Sequence, residues 1–218
     1  MKPIETIMRT ALVIPVLVID DAKYAQPIAR ALVAGGLRVL EVTLRTAAAL
    51  DVIREMKKVE GAIVGAGTVL NEQDLRAAID AGSEFIVSPG LTEPLGKAAV
   101  ASGIPFLPGT ANAGDIMRGL DLGLTHFKFF PAEASGGISA LKAIAAPFGM
   151  AKFCPTGGIS LATAPDSPRW KPQNYCKFVV IARTDRAAGQ FHHPGDCRTA
   201  PNWPKWRTPP SCRDRSRR

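Results

Sequence analysis

The chain has 218 residues, of which 46% are hydrophobic and 6% aromatic, and this apolar content is enough to bury one sizeable core. No run approaches the roughly 18 consecutive apolar residues that a bilayer-crossing helix needs, which excludes such a helix. Pro3, Glu5 and Pro15 interrupt any signal-peptide core near the N-terminus, so a soluble cytoplasmic protein is expected.

The net charge of +8 is concentrated near the C-terminus. Residues 1–160 carry 15 basic and 15 acidic side chains, whereas residues 161–218 carry 12 basic and 4 acidic ones. The same C-terminal segment holds 8 of the 18 prolines and all three tryptophans. The four cysteines do not have the spacing of a zinc site, so we expect reduced thiols and no disulfide framework.

Short apolar runs alternate with amphipathic stretches from residue 10 to about residue 160. The predicted strands, in chain order, are 11–19, 39–44, 62–69, 85–89, 104–109, 126–131 and 152–158. The predicted helices between them are 22–34, 46–58, 72–81, 92–102, 112–121 and 137–146. Asn71, Thr92 and Asn112 stand where helix N-caps are expected. Alternation with this period predicts right-handed βαβ units and a parallel sheet.

Seven such units in about 160 residues predict a single-domain α/β protein with the (β/α)8 TIM-barrel fold. The apolar run 178–182 is a candidate for the eighth strand. A doubly wound open sheet is the alternative, but it usually has a glycine-rich phosphate loop after its first strand, and residues 19–26 read IDDAKYAQ. Polar side chains also gather at the carboxyl ends of the predicted strands, as in barrel enzymes.

Lys128 lies within the predicted strand HFKFFP, residues 126–131. Because side chains alternate along a strand, Phe127 and Phe129 share one face and Lys128 takes the other. If the phenylalanines pack under outer helices, Lys128 points into the barrel. Burial penalises an ammonium ion, and the neutral amine is the form that attacks a carbonyl. The alternative is an edge-strand lysine in solvent, which a closed barrel disfavours because it has no exposed edge.

Glu41 and Arg45 lie on one face of the predicted strand VLEVTL and at its end. A carboxylate facing the same interior as an amine can shuttle protons during imine formation and carbon–carbon cleavage. The guanidinium of Arg45 is suited to binding a substrate carboxylate. The alternative is a buried Glu41–Arg45 pair that only holds the strand in place.

Other polar or flexible groups follow the third and seventh predicted strands. Thr68 places a hydroxyl after the third strand, and Gly157 and Gly158 can present backbone amides to an anion after the seventh. His126 is expected to be a packing or surface residue, and Cys154 a buried core thiol. No cluster of His, Asp and Glu indicates a metal, which leaves a lysine imine as the electron sink for carbonyl chemistry.

Five motifs carry a family resemblance. They are LVAGGLRVLEVTLRT (32–46), IVGAGTVLN (63–71), SPGLTEPL (88–95), FKFFPAEASGG (127–137) and FCPTGGIS (153–160). Through them, residues 9–166 resemble the bacterial 2-keto-3-deoxy-6-phosphogluconate (KDPG) aldolases, which often also act on 4-hydroxy-2-oxoglutarate (KHG).

The resemblance implies a class I aldolase in which Lys128 forms the Schiff base and Glu41 is the general acid/base. The reaction splits KDPG reversibly into pyruvate and glyceraldehyde 3-phosphate, or 4-hydroxy-2-oxoglutarate into pyruvate and glyoxylate. Such enzymes use no metal and no organic cofactor. They are typically cytoplasmic homotrimers of the Entner–Doudoroff route.

The resemblance also implies a substrate pocket. Arg45 and Thr68 correspond to groups that hold the pyruvate carboxylate and nearby oxygens. Thr156 corresponds to a residue lining the same pocket. Gly157 and Gly158 correspond to part of the phosphate site.

The C-terminal segment departs from the resemblance. Residues 1–166 form the predicted barrel body, and residues 167–218 should hold the eighth βα unit and the C-terminus. In the family, the eighth strand ends in a Gly-Gly-Ser or similar turn, whereas Arg183-Thr184-Asp185 follows the apolar run here. A Pro/Arg-rich segment of this kind is what out-of-frame translation of a G+C-rich gene would give, so we interpret 167–218 as anomalous or mis-assigned.

Three other functions remain open at this point. A basic segment with three tryptophans could bind nucleic acid by phosphate contacts and stacking, although it contains no recognisable nucleic-acid motif. Among enzymes, the alternatives are a related barrel lyase acting on another 2-keto acid and a phosphate-binding barrel isomerase.

Overall fold

The computed structural model describes residues 3–11 and 13–158 and the backbone of residues 179–183. All of these belong to one unit, Met1–Thr184. The predictions for the segment 167–218, including its cysteines and tryptophans, lie outside the described residues, except that its apolar run forms a strand at 179–183.

Strands and helices alternate along the chain. The helices are α1 (Ile4–Thr10), α2 (Ala25–Ala34), α3 (Ala49–Met56), α4 (Glu72–Asp80), α5 (Glu93–Ser102), α6 (Ala113–Asp121) and α7 (Gly137–Ala145), with a short 3-10 helix at Ala22–Tyr24. The strands are β1 (Ile14–Val18), β2 (Val39–Thr43), β3 (Ile63–Gly67), β4 (Ile86–Val87), β5 (Phe106–Leu107), β6 (Gly109–Thr110), β7 (His126–Phe129), β8 (Lys152–Pro155) and β9 (Val179–Arg183). The seven predicted strands and six predicted helices of the barrel body are therefore confirmed in type and order.

Two features of the fold were not predicted. The N-terminal helix α1 precedes the first strand, and the predicted strand 104–109 is divided into β5 and β6 at Pro108. The division has a local cause, because proline has no N–H to donate to a ladder. The Pro108 carbonyl still accepts a 2.8 Å hydrogen bond from the backbone N–H of Lys128.

All three residues predicted as N-caps occupy the N-cap positions of their helices, and two of them make a side-chain cap bond. The side chains of Asn71 and Asn112 accept hydrogen bonds from the backbone N–H groups of Asp74 and Asp115, at 2.9 and 3.0 Å. Thr92 occupies the N-cap position of α5 without a side-chain cap bond. The two asparagines thus satisfy backbone donors that the first turns of α4 and α6 would otherwise leave unpaired.

All paired strands are parallel and follow one another in chain order. The pairing runs β5-β4-β3-β2-β1-β9 in one sheet and β6-β7-β8 in the other. Since β5 and β6 are separated by Pro108 alone, we treat them as one strand of the barrel. The described residues then form eight strands. The last strand pairs with the first, although the described residues contain no ladder between β8 and β9. This is the (β/α)8 barrel order, and the doubly wound alternative is wrong because its strand order reverses.

The barrel has separate inner and outer packing layers. The inner apolar cluster comprises Ile7, Met8, Ala11, Ile14, Val16, Val39, Ile63, Phe85, Val87, Leu107 and Cys154. Because Ile7 and Met8 of α1 join residues from the starts of several strands, α1 closes the N-terminal end of the interior. The chemistry must therefore lie toward the other end of the barrel.

The outer layer confirms the predicted faces of β7 and β2. Phe127 and Phe129 are buried in a cluster with residues of α6 and α7. Leu40 and Val42 lie in the other outer cluster. None of the helices in the described part of the chain is long and apolar enough to cross a bilayer.

Glu5 ties α1 to the last strand before the C-terminal segment. Its carboxylate accepts hydrogen bonds from Lys152 of β8 and from Arg9, both at 2.8 Å. These hydrogen bonds, the one from Lys152 first, lower the pKa of Glu5 from 4.5 to about 2. The ionised form is thus favoured by folding, because it is better stabilised in the folded chain than in the unfolded one.

This ion pair predicts a pH-dependent stability. A carboxyl whose pKa is depressed by folding contributes stability that is complete above its unfolded pKa and is lost as the pH falls through the folded value. Glu5→Gln should therefore lower the melting temperature above about pH 5. The difference from the parent should shrink between pH 4.5 and about 2.

Thermal melts of the parent and the variant across pH 2–7 measure this difference. Glu72→Gln is the matched control, because the pair of Glu72 with Arg76 lies within α4 and ties no two elements together. If the two substitutions lowered the melting temperature equally at neutral pH, the conclusion that Glu5 links α1 to β8 would be contradicted.

Candidate active site

Lys128 and Glu41 meet inside the barrel. The Nζ of Lys128 donates a 3.4 Å hydrogen bond to Oε1 of Glu41, although 87 positions separate the two residues. Lys128 is 7% exposed and Glu41 2%, so this ion pair is almost completely removed from solvent. The structure therefore brings together the amine and the carboxylate on which the sequence-based hypothesis depends.

The position of Lys128 follows from the packing of its neighbours. Phe127 and Phe129 are fully buried on the outer face, and the Phe127 ring lies 5.9 Å from that of Phe153 on β8. Lys128 is thereby turned to the inner face, where its Cα pairs with that of Cys154. The two buried rings thus fix which face of β7 carries the amine.

Phe130 is a neighbour of the amine that the sequence analysis did not single out. The Nζ of Lys128 lies 5.3 Å from the centroid of the Phe130 ring, within cation–π range. The sequence pattern could have indicated this contact, because residues 128 and 130 share a face when side chains alternate along a strand. The amine therefore has an aromatic ring beside it as well as the Glu41 carboxylate.

Arg45 and Thr68 lie next to each other beyond the ends of β2 and β3. The Nε of Arg45 donates a 3.3 Å hydrogen bond to Oγ1 of Thr68, and Arg45 is exposed. The alternative of a buried Glu41–Arg45 pair is therefore wrong, since Glu41 pairs with Lys128 instead. Arg45 is left at the mouth of the barrel, where a carboxylate can reach it.

The backbone of Thr68 is strained. Its φ of +60° lies in the left-handed region, which β-branched residues rarely adopt. Conformations of this kind cost on the order of 1–3 kcal/mol and cluster at functional sites. No pattern in the sequence predicted this conformation.

The segment after β8 forms a tight turn against the segment after β7. Gly157 and Gly158 have φ values of +98° and +76°, and the carbonyl of Gly157 accepts a 3.1 Å hydrogen bond from the N–H of Glu133. A Cβ on Gly158 would lie 2.6 Å from the Cβ of Glu133. Thr156 is buried, and its hydroxyl donates to the carbonyl of Cys154 at 3.3 Å. Glycine is thus required here by both conformation and space.

His126 and Cys154 are packing residues, as predicted. His126 is buried, its Nδ1 is hydrogen-bonded to the Thr125 hydroxyl at 3.0 Å, and its Nε2 has no partner among the described residues. Burial, and then the charge of Lys152, lower the pKa of His126. Cys154 is fully buried in the inner cluster. Within the described part of the chain, no group of three or more His, Cys, Asp or Glu is placed to hold a metal ion.

Comparison with known proteins gives one consistent result. The family model described as KDPG and KHG aldolase matches residues 4–176. The 2-dehydro-3-deoxy-phosphogluconate aldolase of Zymomonas mobilis is 62% identical over 165 residues, which are 76% of this chain and 79% of that protein. The KHG/KDPG aldolase of Escherichia coli is 50% identical over 193 residues, 88% of this chain and 85% of that protein.

A solved structure agrees with these relatives. The KDPG aldolase of Legionella pneumophila, with pyruvate captured as a covalent carbinolamine intermediate, superimposes with a TM-score of 0.76 at 41% identity. The superposition covers 82% of this chain and 86% of that one.

Proposed function

This chain belongs to the KDPG and KHG aldolase family, and we propose that it cleaves 2-keto-3-deoxy-6-phosphogluconate reversibly to pyruvate and glyceraldehyde 3-phosphate. The same chemistry would cleave 4-hydroxy-2-oxoglutarate to pyruvate and glyoxylate. The observation that carries the proposal is the buried Lys128 amine, 3.4 Å from the Glu41 carboxylate in the barrel interior. No metal or organic cofactor takes part in the proposed mechanism.

The first half of the proposed reaction forms an imine. Glu41 takes a proton from the Lys128 ammonium, and the neutral amine attacks the C2 carbonyl of the keto acid. The resulting carbinolamine loses its hydroxyl as water, with Glu41 returning the proton to the leaving oxygen. The product is a protonated imine that withdraws electrons from C3, and Glu41 is again ionised.

The second half breaks the carbon–carbon bond. Glu41 takes the proton of the C4 hydroxyl, the C3–C4 bond breaks, and its electron pair moves toward the imine nitrogen to form an enamine. The aldehyde glyceraldehyde 3-phosphate leaves, and Glu41 then protonates C3 of the enamine. Glu41 deprotonates a water molecule that adds to C2 of the remaining imine. The carbinolamine then releases pyruvate as its hydroxyl proton and the proton held by Glu41 pass to the Lys128 nitrogen, which restores the ammonium and the carboxylate. One carboxyl group can serve each step because it lies beside the nitrogen throughout.

The polar groups at the mouth support the proposed substrate orientation. Arg45 offers a planar guanidinium to the keto acid carboxylate, beside the hydroxyl of Thr68 at 3.3 Å. We place Thr156 along the wall of the same pocket, and Gly157 and Gly158 against the phosphate. These groups follow β2, β3 and β8, so they lie at the carboxyl end of the barrel, where such enzymes bind substrate.

The proposal includes the assembly and compartment that the sequence resemblance implies, a homotrimer in the cytoplasm that serves the Entner–Doudoroff route. Its mass in sedimentation equilibrium should then be about three times the 23.2 kDa of one chain. A species with the mass of one chain at micromolar concentration would contradict the trimer and leave the chemistry untouched.

Borohydride trapping tests the imine directly. Incubation with pyruvate and sodium borohydride should add one reduced pyruvyl group, and peptide mapping should place it on Lys128. Lys128→Ala should take up no adduct and lose aldol cleavage, because the nucleophile is gone. A related barrel isomerase would give no adduct in the parent protein, and cleavage by Lys128→Ala at the parent rate would remove the central assignment.

Glu41→Gln tests the proton-transfer role. The amide has nearly the same shape but does not exchange protons, so kcat should fall by roughly 10²–10⁴-fold while KM changes much less. Release of pyruvate from the keto acid phosphate, coupled to lactate dehydrogenase, measures both constants. A rise in KM with an unchanged kcat would instead make Glu41 a binding residue.

A further inference from the structure

The space occupied by the Glu41 carboxyl is the space that a side chain at position 67 would fill. Along β3, Ile63, Gly65 and Gly67 alternate with outward-facing residues and line the interior. A Cβ added to Gly67 would overlap Oε1 of Glu41 and lie 2.7 Å from its Cγ and 2.8 Å from its Cδ. The carboxyl group therefore rests directly on the bare backbone of Gly67.

The requirement for glycine at this position is spatial. The φ of Gly67 is not in the left-handed region, so the backbone there suits any residue. The strained conformation belongs to the next residue, Thr68. The absence of a side chain at position 67 is explained by the carboxyl group of Glu41 that lies above it.

The backbone of β3 is held on both sides at this point. The carbonyl of Gly67 accepts a 2.8 Å hydrogen bond from the N–H of Leu44, and the N–H of Ala66 donates to Phe85 at 3.0 Å. Further along, the N–H of Val69 donates to Val87 at 3.3 Å. A methyl group at position 67 would therefore move the flexible end of Glu41 before it moved the strand.

The same oxygen links this contact to the chemistry. Oε1 of Glu41 is the atom that a Cβ at position 67 would overlap, and it is the atom that accepts the hydrogen bond of Lys128 at 3.4 Å. We propose that Gly67 is a positioning residue, which holds the Glu41 carboxyl at proton-transfer distance from the Lys128 nitrogen by leaving that space empty. The inference rests on the proposed function, because it assigns Gly67 an effect on the proton transfers of that reaction.

Gly67→Ala tests the inference. The variant should fold, because only a side chain and no backbone has to give way, and its kcat per folded molecule should fall on the order of 100-fold, within the range that a positioned acid/base group contributes. KM should stay within about threefold, because Arg45 and Thr68 are untouched. The pyruvate–borohydride adduct should still form at Lys128 on long incubation.

Gly65→Ala is the matched control. It adds the same methyl group to the same inner face of β3, but its nearest neighbour is the Phe85 ring at 2.5 Å and not Glu41. It should lower the melting temperature while kcat per folded molecule stays close to that of the parent. Interior crowding alone would lower kcat equally in both variants, and that result would overturn the inference.

A double-mutant cycle tests whether the effect of Gly67→Ala on kcat depends on the Glu41 carboxylate. In the Glu41→Gln background, Gly67→Ala should change kcat by less than about twofold, because the carboxylate is already gone. The same 100-fold loss in both backgrounds, or parent-like kcat in Gly67→Ala alone, would overturn the inference. Failure of the parent protein to trap pyruvate would instead refute the proposed function.

Discussion

An amine and a carboxylate buried against each other form the constraint on which the rest of the structure depends. Removing two charges from water costs several kcal/mol per ion, and their mutual attraction offsets this only when the geometry is good. Lys128 and Glu41 lie on strands from opposite sides of the interior and place their charged groups 3.4 Å apart. Their contact is therefore stable only while the strands that carry them keep their positions.

The barrel keeps these strands in place with two apolar layers. Outside, Phe127 and Phe129 pack under helices and prevent β7 from rotating. Inside, the N-terminal half is filled by an apolar cluster that α1 closes. This filling leaves the polar pair in the carboxyl half of the interior, next to the mouth. Gly67 provides room there for the carboxyl, since any larger residue would occupy its place.

The mouth of the barrel combines strain with polarity. Thr68 has a left-handed backbone and accepts a hydrogen bond from the exposed Arg45, and Gly157 and Gly158 turn tightly against the segment after β7. These residues directly follow strands that are fixed by hydrogen-bonded ladders. The surrounding structure can therefore stabilise backbone conformations that would be unfavourable in an isolated loop. The same strands that bury the lysine thus present the groups proposed to hold its substrate.

The sequence by itself determined the order of strands and helices, the parallel barrel and the inward face of Lys128, because each depends on a local period of two or 3.6 residues. Only the tertiary structure decided which partner Glu41 takes: the sequence was compatible with Arg45, and barrel packing supplied Lys128, 87 positions away. Likewise α1 and the φ of Thr68 depend on contacts with distant strands, which no local pattern records.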